Sequence, residues 1–170
     1  MSDDVPAELM WQGKYIRAIK QGRWEYVSRT NNVRAVVILA EFEGKMILAE
    51  QYRVPICARC LEFPAGLVGD EDPNATVEGT AIKELEEETG FTAERVERLG
   101  DFYSSPGMVS EGFTLVRAHG VARCDGKVEE DINVHLVARR DIPAFIEQKR
   151  AEGFAVDVRL LLFFGNAVTG

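Results

Sequence analysis

The chain has 170 residues, 46% of them hydrophobic and 28% charged, with a formal net charge of −8. That length supports one domain with its own core and needs neither metal nor disulfide merely to fold, and the composition is globular rather than disordered. The acidic balance argues against non-specific nucleic-acid binding and against a polybasic membrane anchor. No apolar run approaches the roughly eighteen residues of a membrane span, and the acidic start Met1-Ser2-Asp3-Asp4 is unlike a secretory signal or transit peptide. Three cysteines, an odd and low count, fit a reducing compartment, so the expected location is cytoplasmic. An anionic substrate would need a local basic patch or a metal ion to bring it in.

Residues 14–29 alternate around Gln21-Gly22 and predict a hairpin. Residues 33–41 read as a strongly apolar strand, and Glu43-Gly44 turns the chain into a second one, Lys45 to Gln51. Two adjoining apolar runs place them at the centre of a sheet covered on both faces. Cys57 and Cys60 fall in a predicted loop after Pro55. Their spacing is that of half a zinc site or a redox pair, but only Cys124, His119 and His135 remain to complete a metal site. Packed or partly exposed thiols are the simpler reading.

Asn74 to Thr89 is predicted helical, opened by Pro73-Asn74 and closed by Gly90 in the left-handed cap position. Strands are predicted over 95–103 and 113–122, with a Ser-Ser-Pro-Gly loop at 104–107 between them. Asp131 to Ala138 alternates as a strand. Asp141 is expected to cap a helix with Pro143 in its first turn, and a last helix is expected over Val156 to Ala167. No repeat or low-complexity tract is visible. The order predicts an α/β fold: a mixed sheet with helices on both sides and an N-terminal β-hairpin extension.

On a wheel at about 100° per residue, Ile82, Leu85 and Thr89 share one face, with Ala81 beside them. Glu84, Glu87 and Glu88 share another, and Glu86 points elsewhere. Like charges at such spacing repel by a few tenths of a kcal/mol per pair, and they lie near the helix C-terminus, where the dipole disfavours anions. A hard divalent cation over the cluster accounts for it; a solvated acidic face is the alternative.

From Gly69 to Phe91 the sequence G-DEDPN-A-TVEGTAI-K-E-L-E-E-E-T-G-F resembles the Nudix box, G-x5-E-x7-R-E-U-x-E-E-x-G-U, with U a bulky apolar residue. Gly69, Glu84, Leu85, Glu87, Glu88, Gly90 and Phe91 fall on the pattern without a gap. Ala75 stands where the family has an early Glu and Lys83 where it has Arg, keeping that charge but not its two-pronged fork. A second alignment starts from Gly66 and leaves the Glu84 to Phe91 half unchanged. Outside the box, Glu50-Gln51-Tyr52-Arg53, Leu61-Glu62-Phe63-Pro64-Ala65-Gly66, Ser105-Pro106-Gly107, Glu111 and Glu129-Glu130-Asp131-Ile132 resemble the ADP-ribose pyrophosphatase and nucleoside-diphosphate-sugar branch.

The resemblance implies an α/β/α sandwich over 33–170. It also implies an N-terminal β extension over 1–32, exchanged between the subunits of a homodimer. It implies a Mg2+-dependent hydrolase, with Mn2+ as the alternative ion, that cleaves ADP-ribose or related NDP-sugars to a nucleoside monophosphate and a sugar phosphate. Glu84, Glu88 and the backbone carbonyl of Ala65 would hold metal, with Glu87 sharing it or hydrogen-bonding its water. The general base stays open among Glu130, Glu129 and Glu111. Arg53 would grip the diphosphate or terminal ribose, and Pro106 and Gly107 would shape the substrate loop. Tyr15, Trp24 and Tyr26 are candidates to stack on a base or to pack the hairpin. The rival expectation, resting on Ala75 and Lys83, is a module that binds a nucleotide sugar without cleaving it.

Overall fold

The computed structural model describes residues 5–31, 33–70, 72–125 and 128–162. The chain begins with β1 (Glu8–Gln12), β2 (Ile16–Gln21) and β3 (Trp24–Arg29), followed by β4 (Arg34–Leu39), β5 (Glu41–Phe42) and β6 (Lys45–Arg53). Next come β7 (Ala58–Glu62), β8 (Ala65–Val68), helix α1 (Val77–Thr89), β9 (Phe91–Thr92) and β10 (Arg95–Tyr103). Then β11 (Gly112–His119), β12 (Ala122–Arg123), β13 (Asn133–Ala138), α2 (Ile142–Ala151), β14 (Ala155–Val156) and α3 (Val158–Leu162) complete the order.

The expected hairpin is present, with Gly22 at positive φ in its turn, and β1 adds a third antiparallel strand that the sequence pattern did not announce. Two sheets form the body. One runs β10-β11-β4-β8 and is mixed, because β11 and β4 are parallel. The other runs β13-β6-β7-β14.

The apolar runs of β4 and β6 are buried on both faces, as expected. Val36, Ile38 and Ile47 pack with Ala81 and Leu85 of α1. Val37, Leu39 and Leu48 pack with Ile142 and Ile146 of α2 and Leu160 of α3. Each such side chain contributes about 1.5–3 kcal/mol on burial. The outcome is the α/β/α sandwich, with α1 on one side and α2 and α3 on the other.

Several boundaries differ from the expectation. Helix α1 starts at Val77, not Asn74: Thr76 is the cap and its Oγ1 accepts from Gly79 N–H at 3.0 Å. Asn74 N–H is already taken by Asp72 Oδ1 at 2.9 Å, so a turn holds the residues assigned to the first helical turn. Gly90 closes the helix at φ 71°, as predicted. Asp141 makes no side-chain cap bond; it lies in a 3-10 turn, Arg139–Asp141, that leads into α2. The strand expected over 113–122 ends at His119, where Gly120 turns at φ 64° before the short β12. The last helix covers Val158–Leu162; the rest of its predicted span lies outside the described residues. Strands β7 and β8 were not foreseen. Cys60 is buried in β7, where burial pushes its thiol up to about 11, and Cys57 is exposed at the preceding left-handed turn. Both thiols are free.

Candidate active site

Ala81 and Leu85 are fully buried and fix the rotation of α1. That rotation aims Glu84 and Glu88 at β8, since α1 lies against that strand. Glu88 is only 8% exposed, and its Oε2 accepts the backbone N–H of Ala65 at 3.0 Å. Glu84 lies flat on the next residue: a Cβ at Gly66 would come within 2.0 Å of its carboxyl carbon. Only glycine allows that approach. Glu129 N–H donates to the Glu87 carbonyl at 2.9 Å, which draws the acidic loop over the helix. Lys83 Nζ lies 3.5 Å from Glu87, so it pairs along its own helix.

These carboxylates crowd one another. Burial pushes the Glu88 carboxyl up to about 8; the Ala65 N–H opposes this, and repulsion from Glu84, Glu62 and Glu129 adds to it. A cavity of about 430 Å³ opens beside them, lined by Gly69, Asp70, Lys83, Glu84, Glu87 and Glu129. The structure thus brings together Ala65, Glu84, Glu87, Glu88 and Glu129. Among the described residues, no three His, Cys, Asp or Glu side chains converge closely enough to hold a cation by themselves. The donor chemistry nonetheless fits a hard divalent ion: the carboxylates of Glu84, Glu87 and Glu129 line the cavity, and that of Glu88 is buried against its charge preference beside Glu84.

The other expected residues lie elsewhere. Glu130 is exposed in a turn and does not line the cavity. Glu111 is paired with Arg29 of β3. Arg53 Nε donates to Glu62 Oε1 at 2.9 Å. Pro106 and Gly107 line a hollow of about 330 Å³ together with Gln21, Trp24 and Tyr26. Glu62 had no assigned role, yet it is 3% exposed and bridges Arg53 to the cluster around Glu88. Burial raises its carboxyl, against the hydrogen bond and charge of Arg53. Its signal in the sequence is a carboxylate set between Leu61 and Phe63 in an apolar run.

With this geometry in hand, similarity to known proteins is informative. The model of the NUDIX domain matches residues 30–150, and the chain belongs to that family. An ADP-ribose pyrophosphatase of Bacillus subtilis is 40% identical over 121 residues, covering 68% of this chain and 63% of that protein. The match thus spans less than two thirds of the Bacillus relative. A Nudix hydrolase of Schizosaccharomyces pombe is 32% identical over 159 residues, covering 82% of this chain and 75% of the relative. The crystal structure of an ADP compounds hydrolase superposes with a TM-score of 0.69 at 20% identity, over 97% of this chain and 92% of that one. It shares the fold.

Proposed function

We propose that the protein hydrolyses the pyrophosphate bridge of ADP-ribose or a related nucleoside-diphosphate sugar, with Mg2+ or Mn2+ bound at Glu84, Glu88 and the Ala65 backbone. The observation that carries this reading is Glu88, a buried carboxylate packed against Ala65 and crowded by Glu62 and by Glu84, which itself lines an open cavity. Such an arrangement is electrostatically costly unless a cation joins it. A bound divalent ion supplies Lewis-acid polarisation of the phosphoryl oxygens and acidification of water. The activity of the Bacillus relative, an ADP-ribose pyrophosphatase, supports the substrate class.

The chain's own groups do the rest. Water oxygen bonds to phosphorus as the bridging P–O bond breaks; the water proton passes to a carboxylate, and the bridging oxygen leaves on the second phosphate. Of the candidate bases, Glu129 lines the cavity, so it is the first choice over Glu130 and Glu111. Trp24 and Tyr26, beside Pro106 and Gly107, form a hollow suited to a base or ribose face. Glu88→Gln should lower kcat by roughly 10²–10³, the scale of losing one charge-stabilising group. AMP release from ADP-ribose, followed by chromatography with Mg2+ and with EDTA, checks this; undiminished turnover in the variant overturns the site.

The β1–β3 extension exposes Leu9, Met10, Trp11, Tyr15 and Trp24, each more than half accessible. Large apolar side chains left exposed on this sheet support the homodimer built on residues 1–32. Light scattering should then give twice the 19.0 kDa chain mass, and Trp11→Glu should shift it towards one chain.

A further inference from the structure

Glu129 reaches the carboxylate cavity from the short acidic segment that leads into β13. Both of its backbone groups are bonded. Its N–H donates to the Glu87 carbonyl at 2.9 Å, and its carbonyl accepts the Ile132 N–H at 3.3 Å. Ile132 is 7% exposed and anchors the far end of the segment in the core. Glu130 and Asp131, between these two points, are exposed.

Arg59 of β7 adds a tie to this exposed stretch. Its Nε donates to Glu50 Oε1 at 2.6 Å and its Nη2 to the Glu50 carbonyl at 3.2 Å. The same Nη2 donates to the Asp131 carbonyl at 3.4 Å, across 72 positions of chain. That last bond is long and weak by itself. Its worth lies in where the guanidinium is held. Glu50 is 3% exposed. Its Oε1 also accepts Asn133 Nδ2 at 2.9 Å, from the residue opposite it across the β6–β13 pair, and its Oε2 accepts Lys149 Nζ at 2.9 Å. A carboxylate fixed from three other elements seats the planar head of Arg59 in one orientation, and that orientation carries a donor to Asp131.

We propose that Arg59, seated on Glu50, is a positioning residue that straps the Glu129–Ile132 segment, so that the Glu129 carboxylate stays over the cavity to take the proton of the attacking water. The proton step rests on the hydrolase reading above; the strap rests on the geometry of Arg59. Asp131 is two residues from Glu129, so a released carbonyl lets the exposed stretch move and carries the base with it. A displacement of about an ångström is enough to slow a positioned reaction.

Amide hydrogen exchange of the full chain in EDTA, read by mass spectrometry, tests the strap without any reaction. In Arg59→Met the peptide spanning 128–132 should exchange at least about tenfold faster, while α2 keeps its wild-type rate. Arg59→Lys keeps a cation beside Glu50 without the fork, so it should melt closer to wild type and still loosen the same peptide. Wild-type exchange of that peptide in both variants overturns the proposal.

Kinetics with ADP-ribose and Mg2+ tests the role. Arg59 is not among the cavity walls, so Arg59→Met should leave KM nearly unchanged and lower kcat by about tenfold, part of the roughly 10²–10⁴ that a positioned base supplies. A double-mutant cycle separates positioning from general loss of structure. On top of Glu129→Gln, Arg59→Met should cost less than about twofold more, because the group it positions is already gone. The same tenfold loss in both backgrounds, or an undiminished kcat in Glu129→Gln, overturns the proposed role. Absence of hydrolysis by the wild type would defeat the hydrolase reading instead, and the exchange rates would still decide the strap.

Discussion

Glu88 meets two opposed demands. Its side chain must be buried to sit against Ala65, and the proposed metal role requires it to be ionised. In the metal-free chain burial wins and the carboxyl rises to about 8. A carboxyl raised on folding makes the native state bind the extra proton, so its stabilising contribution is complete below the ordinary value near 4.5 and is lost as pH climbs through about 8. In EDTA the melting temperature should therefore fall between pH 5 and pH 8. Glu88→Gln, neutral throughout, should flatten that slope and melt a few degrees higher at pH 8. Scanning calorimetry across the pH series measures both; an unchanged slope in the variant would remove Glu88 as its cause. The spacing of Glu84, Glu87 and Glu88 was legible in the sequence because a helix wheel converts spacing directly into a shared face. Their differing burial was not, because it depends on β8, which reaches the helix from elsewhere in the chain.

At the scale of elements, two junctions matter most. The first is β8 against α1. Gly66→Ala places a methyl group where the Glu84 carboxyl lies, so kcat/KM should fall about a hundredfold, as for an active-site displacement of an ångström, while the melting temperature moves little. Strands β7 and β8 escaped notice because Glu62, Pro64 and Gly66 interrupt the apolar run, and pairing with β4 and β6 imposes the extended form from outside.

The second junction is Glu50 on β6. Burial alone would raise its carboxyl, but hydrogen bonds from Lys149, Asn133, His135 and Arg59 hold it down at about 2. One carboxylate thereby ties β6 to β7, β13 and α2. Its contribution is present above about 4.5 and is lost as pH falls towards 2. Glu50→Gln should cost about 1–3 kcal/mol, because it removes the charged acceptor shared by the largely buried Lys149 and the more exposed Arg59 and His135; urea unfolding at pH 7 reads that loss. Nothing in the local sequence marks Glu50 as a hub, since its partners come from three other segments.

For the whole molecule, the layer order followed from chain order: a hairpin, a doubly buried strand pair, an acidic helix, more sheet, then helices. What the pattern left open was how the N-terminal sheet meets the body. Val27 N–H donates to the Met108 carbonyl and Ser110 N–H to the Val27 carbonyl, both at 2.9 Å. The Arg29–Glu111 pair closes the same seam. Strand β3 is therefore stitched to the loop that carries Pro106 and Gly107. A chimera that borrowed this stretch from a cousin would import the donor's loop shape along with it. If the proposed substrate loop holds, evolution can retune substrate choice in this scaffold by editing its N-terminal sheet, while the carboxylates on the helix stay untouched.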